Sequence, residues 1–296
     1  MPQYNQNRNY NTTRGYELVP VLRGGKPVTP ANHADIYKND LYTGVISVKA
    51  KTIQPLSVTS GFWKDMQVQG GRYHAMLIYR DGKGRVVIPG SSIKGMLRHY
   101  VRVLSERTSN NNRDDDSGLP EAIFGSTSFR SRVRTSDMTY NQSLKGLKIF
   151  QQYSGHPHND NYKIYSCKKK EERGQRSEFL VEIIPTGSTL EFVVNVEGLR
   201  KNELGVLFLA MGVYPQHRFC LKLGRGKNIG MGALKLEVMC FERDKGLYGK
   251  EAYEDEKLRA LINESVKDYF NSVKDKRALM NNLQILKREC GGNSRG

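Results

Sequence analysis

VVIPGSSIKGMLRHYVRVL, residues 86–104, is the stretch on which the rest of the chain turns. It runs from a short apolar strand through a sharp Pro-Gly turn and two serines into an amphipathic helix. Ile93, Met96, Leu97, Tyr100, Val101 and Leu104 recur at helical spacing and predict one apolar stripe. Lys94, Arg98 and Arg102 stand four apart on the other side. Ser91 or Ser92 is placed to cap the helix start. Free backbone N–H groups, two hydroxyls and a nearby lysine at a helix start suit a phosphate. The plainer alternative is a capped surface helix with a solvated basic face.

Charge sharpens that choice. The 296 residues carry 47 Lys and Arg against 30 Asp and Glu, a formal net charge of +17. This exceeds what solubility needs and points to a polyanionic partner, with nucleic acid ahead of an anionic membrane surface. No apolar run is long enough to span a bilayer, no lipidation signal is present, and residues 1–16 have no hydrophobic region resembling a secretory signal. No membrane partner is therefore expected. The four cysteines are scattered without a CxxC pair, which argues against a zinc site or disulfide framework and for a reducing, cytoplasmic setting.

Outward from the central stretch, residues 1–40 are polar and predict an extension that is irregular or ordered only on a partner. YTGVISVKAKTI (42–53) alternates as a first strand. Residues 55–73 predict a loop or irregular hairpin holding Trp63, the only tryptophan. Residues 147–178 predict a long insertion, a hairpin arm tipped by His156, His158 and a lysine run. FLVEIIPTGSTLEFVVNVEGL (179–199) predicts two strands about a Pro-Thr-Gly turn, and residues 202–214 a second amphipathic helix. Beyond about residue 243 the pattern turns helical and charge-mixed, an appended tail over 243–296. The order suits an α+β, ferredoxin-like (RRM-like) βαββαβ domain over 41–242, interrupted by insertions, with the sheet's second face free to hold RNA.

LGRGKNIGMG, residues 223–232, contains four glycines, with Arg225 and Lys227 between them. Glycine permits close approach of backbone N–H groups to a phosphate. The pattern is neither a P-loop, since Asn228 follows Lys227, nor a dinucleotide fingerprint, since a strand follows. A glycine-bearing hairpin turn is the bland alternative.

IPGSSIKGMLR (88–98) and LGRGKNIGMGALKLEV (223–238) together resemble the paired signatures of the RAMP superfamily, the repeat-associated proteins of CRISPR–Cas systems. IFGS (123–126), SDM (136–138) and IIPTGSTLEF (183–192) resemble the same family in the expected order. The resemblance spans roughly residues 42–240. It implies a ferredoxin-like RNA-recognition domain in a type III effector complex: a backbone-type subunit gripping the guide RNA (crRNA), with complementary target RNA and other type III subunits as partners. It implies guide phosphates at Ser91, Ser92, Lys94 and Arg98. It also implies RNA against the loop formed by Gly224, Arg225, Gly226, Lys227 and Asn228.

Cleavage is the second expectation. Target-cutting relatives carry an aspartate on the loop ahead of the IPGSS motif. The best-matching run here, Gly71-Arg72-Tyr73-His74, has no acid. Asp65, earlier on the same loop, could occupy that space, or His74 could act as acid or base in a guide-processing ribonuclease. Binding needs no cofactor; a divalent metal such as magnesium belongs to the cleavage alternative. His156, His158 and Asp160 form a weak metal-site candidate beside the simpler solvated tip. Trp63 and Tyr73 could stack on bases or pack in the core.

Overall fold

The computed structural model describes residues 15–31, 35–38, 40–68, 71–108, 118–127, 129–150, 160–168, 178–246 and 248–291. In chain order, β1 (Tyr16–Pro20) and β2 (Arg23–Gly25) precede the long β3 (Tyr42–Thr52). β4 (Thr59–Val68) and β5 (Gly71–Ile78) form a hairpin, and β6 (Val86–Ile88) enters α1 (Gly90–Leu104). β7 (Arg107–Thr108), α2 (Leu119–Phe124), β8 (Val133–Thr135), β9 (Met138–Tyr140), β10 (Lys145–Phe150) and β11 (Asn161–Tyr165) follow. β12 (Glu178–Ile183), β13 (Thr189–Leu199), α3 (Lys201–Ala210), β14 (Leu221–Lys222), β15 (Ala233–Lys245), β16 (Gly249–Tyr253), α4 (Asp255–Ser272) and α5 (Lys276–Cys290) complete the set.

The architecture is mixed α and β. The main sheet has the order β14-β15-β3-β13-β8, every neighbour antiparallel, with β16 added to β15. Its main strands connect as β3-α1-β8-β13-α3-β15. Strict alternation on β3 buries Ile46, Val48 and Ala50 on one face. They join Phe192 and Val194 of β13, Ile93, Leu97 and Val101 of α1, and Leu204 and Phe208 of α3 in one core. A buried ion pair fixes the far side: Arg132 meets Glu203 at 2.6 Å, both side chains 1% exposed, and also donates to the Ala122 and Gly198 carbonyls.

A second sheet, β10-β12-β5-β4, stands beside the first. The two strands expected about the Pro-Thr-Gly turn are present, and they enter different sheets: β12 joins the second and β13 the first. Among the described residues the expected arm forms no hairpin of its own, because β10 pairs with β12 and β11 with β1.

The extension and the tail are also more integrated than their composition suggests. Residues 16–20 pair with β11 and β2 pairs with β7, so residues 1–40 are not wholly irregular. β15 continues to Lys245 and pairs with β16, so 243–296 is not purely helical. Nor is it merely appended: Val266, Leu279, Leu283 and Leu286 are fully buried in the main core. The Asn282 carboxamide donates to the carbonyls of Pro20 and Val103 at 3.1 and 2.9 Å.

Candidate nucleic-acid interface

Three structural units place the predicted residues. The first is the start of α1. Pro89 occupies the N-cap position, and neither serine caps the helix. The Asp137 carboxylate accepts the Gly90 N–H at 2.7 Å, while the Thr135 hydroxyl donates to the Gly90 carbonyl at 2.6 Å. Gly90 is required by this docking: a Cβ there would run into the Thr135 carbonyl oxygen. The expected serine cap is therefore corrected. A carboxylate of the same chain already meets the first amide of the helix.

The basic row of α1 is partly spent as well. Arg98 and Arg102 both reach the Glu121 carboxylate, at 3.1 and 2.8 Å. Lys94 has no carboxylate within 4.0 Å among the described residues. Burial, then the nearby Arg98 and Arg134 guanidiniums, holds its ammonium pKa below the usual lysine value. Lys94 and Arg98 open into a cavity of about 850 Å³ whose other wall is the loop of Gly125, Ser126, Thr127, Phe129, Arg130 and Ser131. Arg134 and Arg130 share Glu197, at 3.2 and 4.0 Å. The cavity is thus cationic, and Lys94 is its least neutralised member.

The second unit is the glycine loop between β14 and β15. Gly226 and Gly230 adopt left-handed conformations at either end of a 3-10 turn (Lys227–Ile229). Lys222, buried, braces it: its ammonium donates to the Met231 carbonyl at 2.8 Å, to the Lys227 carbonyl at 3.1 Å, and to Gln54. Several of the loop amides are engaged inside the protein. Arg225 N–H bonds Ser57 O, Ile229 and Met231 N–H bond Gly226 O, and Gly232 N–H bonds Pro55 O. Part of the amide surface expected to face a phosphate is therefore used within the chain. Asn228 is covered in part, since Gly15 packs so closely that a Cβ there would strike its carbonyl oxygen. Lys227 lies over the Tyr165 ring at 5.2 Å, and burial lowers its pKa. The Arg225 guanidinium lies 5.4 Å over Phe179, its buried Nε without a hydrogen-bond partner.

The third unit is the β4–β5 hairpin. Asp65 and His74 are strand residues and cross-strand partners, not loop residues. Asp65 Oδ1 meets His74 Nδ1 at 2.5 Å, and its Oδ2 meets Arg72 at 2.5 Å. The His74 side chain is 76% exposed. Alternation puts Trp63 on the same face as this trio. Trp63, 50% exposed, lies 5.0 Å from Phe179. A continuous stripe therefore runs Arg225, Phe179, Trp63, then Asp65 with His74 and Arg72. Tyr73 faces the other way, its ring under Lys148 Nζ at 4.2 Å.

The α1 cavity and the glycine loop do not meet at one point. α1 begins against β8, and the loop follows β14; these strands end the sheet order on opposite sides. Four strand spacings amount to about 19 Å. His156 and His158 lie outside the described residues, and Asp160 pairs with Arg23 at 2.6 Å. Among the described residues, no group of three His, Cys, Asp or Glu is placed to hold a metal. No helix among them is long and apolar enough to cross a membrane. Sequence alone missed Lys222, Glu121, Asp137, Arg130 and Phe179. The IFGS and SDM motifs pointed toward the ends of two of these contacts.

No curated protein matches this chain. Among solved structures, 174 chains match. One is described as the cryo-EM structure of the type III-B Cmr-beta bound to cognate target RNA, with a TM-score of 0.41 and 16% identity, over 75% of this chain and 64% of that one. The present chain therefore spans less than two thirds of that neighbour. The model of the RAMP superfamily matches residues 49–235, which take in α1, the IFGS loop, β13 and the glycine loop in order. The chain belongs to the RAMP superfamily.

Proposed function

We propose that the protein is an RNA-gripping subunit of a type III CRISPR ribonucleoprotein, with guide RNA as its principal ligand. The strand order and the β3-α1-β8-β13-α3-β15 connection support a ferredoxin-like domain as the scaffold. The observation that carries the function is Lys94. It is a cation without an acid partner, set among Arg98, Arg130 and Arg134 at a cavity of about 850 Å³, within the family-matching segment. Such a site takes a phosphate, and the net charge of +17 favours a polyanion over a small anion. The test is salt-dependent binding of single-stranded RNA by the purified protein. Lys94→Ala with Arg130→Ala should weaken it; no salt-dependent binding by the wild type would remove the proposal.

The Asp65–His74 contact favours a second reading, ribonuclease action on the hairpin. Asp65 would hold the Nδ1–H tautomer, leaving Nε2 to take the proton of a ribose 2′-OH. The 2′-oxygen then bonds to phosphorus, the bond from phosphorus to the 5′-oxygen breaks, and that oxygen takes up a proton. The products are a 2′,3′-cyclic phosphate and a 5′-OH. Cleavage persisting in chelator, and lost in His74→Ala, supports this; RNA left intact by the guide-loaded protein with or without magnesium sinks it.

A further inference from the structure

Strand β15 is paired on its outer side by β14 at residues 233–234 and by β16 from Phe241 onward. Between these, residues 235–240 have no strand neighbour on that side among the described residues. A groove of about 570 Å³ runs along this free edge, walled by α4. Alternation on β3 and β15 sends Lys49, Lys51 and Lys235 away from the α1–α3 core and into the groove. Arg218 and Arg259 face them from the far wall. None of these five has a carboxylate within 4.0 Å among the described residues, and only Glu237 and Asp255 among the lining residues are acidic.

Lys51 and Lys235 stand directly opposite each other across the strands. Like charges in that position destabilise a sheet unless an anion sits between them. No aromatic ring lines the groove, so it offers charge for a backbone and no platform for bases. Two occupants could supply the anion: an acidic peptide adding as a strand, or a phosphodiester chain. The edge disfavours the peptide. A bulge between Val238 and Cys240 breaks its register, and Lys235 stands on the edge; both devices oppose strand addition.

We propose that this groove is a second RNA track, holding the backbone of a single strand without sequence preference. The groove lies toward the β15 end of the main sheet and the Lys94 cavity toward its β8 end. The inference rests on the RNA-binding reading above and adds a second contact region to it.

The test compares wild type, Lys51→Glu/Lys235→Glu and Lys94→Ala/Arg130→Ala on long unstructured poly-U and poly-C RNA across a salt series. Lys51→Gln/Lys235→Gln serves if charge reversal impairs folding, as judged by thermal melting. The expected result is about tenfold weaker binding by the groove variant for both homopolymers. Its salt slope should be flatter by about 1.4, near 0.7 for each single-strand phosphate that is no longer neutralised, with the melting temperature unchanged. If the groove variant keeps wild-type affinity and slope while the Lys94 variant weakens, the groove proposal is overturned and the RNA-binding reading stands. Absence of RNA binding by the wild type overturns both.

Discussion

The backbone N–H of Lys222 donates to the phenol oxygen of Tyr100 at 3.0 Å, in the buried interior. This bond ties the root of the glycine loop to the middle of α1. The same lysine's ammonium holds the loop carbonyls of Lys227 and Met231. Lys222→Met keeps the stem but strands those acceptors. It should destabilise the protein by about 1–3 kcal/mol, read as a lower urea midpoint, and should raise backbone exchange across residues 223–232.

The buried pair of Arg132 and Glu203 predicts a larger effect. Both groups are almost fully enclosed, and Arg132 also serves two backbone carbonyls. Arg132→Met alone leaves Glu203 as a buried, poorly compensated charge, with an expected loss of about 3–5 kcal/mol. Pairing it with Glu203→Leu should recover part of that loss. A double variant no more stable than Arg132→Met would contradict the assignment.

His99 predicts an acid-sensitive step. Its Nε2 lies 3.1 Å from the Lys163 carbonyl, with the Tyr100 and Tyr162 rings edge-on at 5.6 and 6.2 Å. Burial, with smaller contributions from Lys227 and Arg102, pushes its pKa down from 6.5 to about 4. Between these values the unfolded chain binds the proton and the folded one does not, so stability rises with pH through that window and levels off above it. Acidification across it should cost roughly 2 kcal/mol, allowing for the partial exposure of the ring. His99→Gln should flatten this part of the stability curve; an unchanged slope would exclude His99 as its source.

Trp63 separates packing from binding on the hairpin. Half its surface is open, and its ring neighbour among the described residues is Phe179. Trp63→Ala should shift stability little but weaken single-stranded RNA binding by about 1–3 kcal/mol if a base stacks there. Unaltered affinity would restrict the ring to packing on Phe179.

Much of this fold could be read from periodicity. The alternation in residues 42–53 and the stripe from Ile93 to Leu104 follow from local spacing, and each supplies a main-core element. The second helix is present but is shorter than expected and buried on every side from Glu203 to Ala210, so its expected one-sided amphipathic pattern is corrected. What could not be read is long-range. Nothing local in residues 16–20 announces a partner at 161–165, and the turn at 185–187 looks like a hairpin although its strands enter different sheets. For the site, composition identified cations but not their neutralisation. Arg98 is indistinguishable from Lys94 in sequence until Glu121 is seen beside one of them. Asp65 and His74 emerged as separate candidates because nine positions hide a cross-strand register that makes them partners.

The bond from Asn282 to Pro20 has a consequence for biosynthesis. Helix α5 leaves the ribosome more than two hundred residues after β1, yet its apolar side closes the core that β1 and α1 leave open. Until then the nascent chain keeps that apolar surface uncovered, and holdase chaperones are expected to bind it during translation. Stalled chains ending before residue 276 should be protease-sensitive throughout, rather than clipped only at their unfinished end.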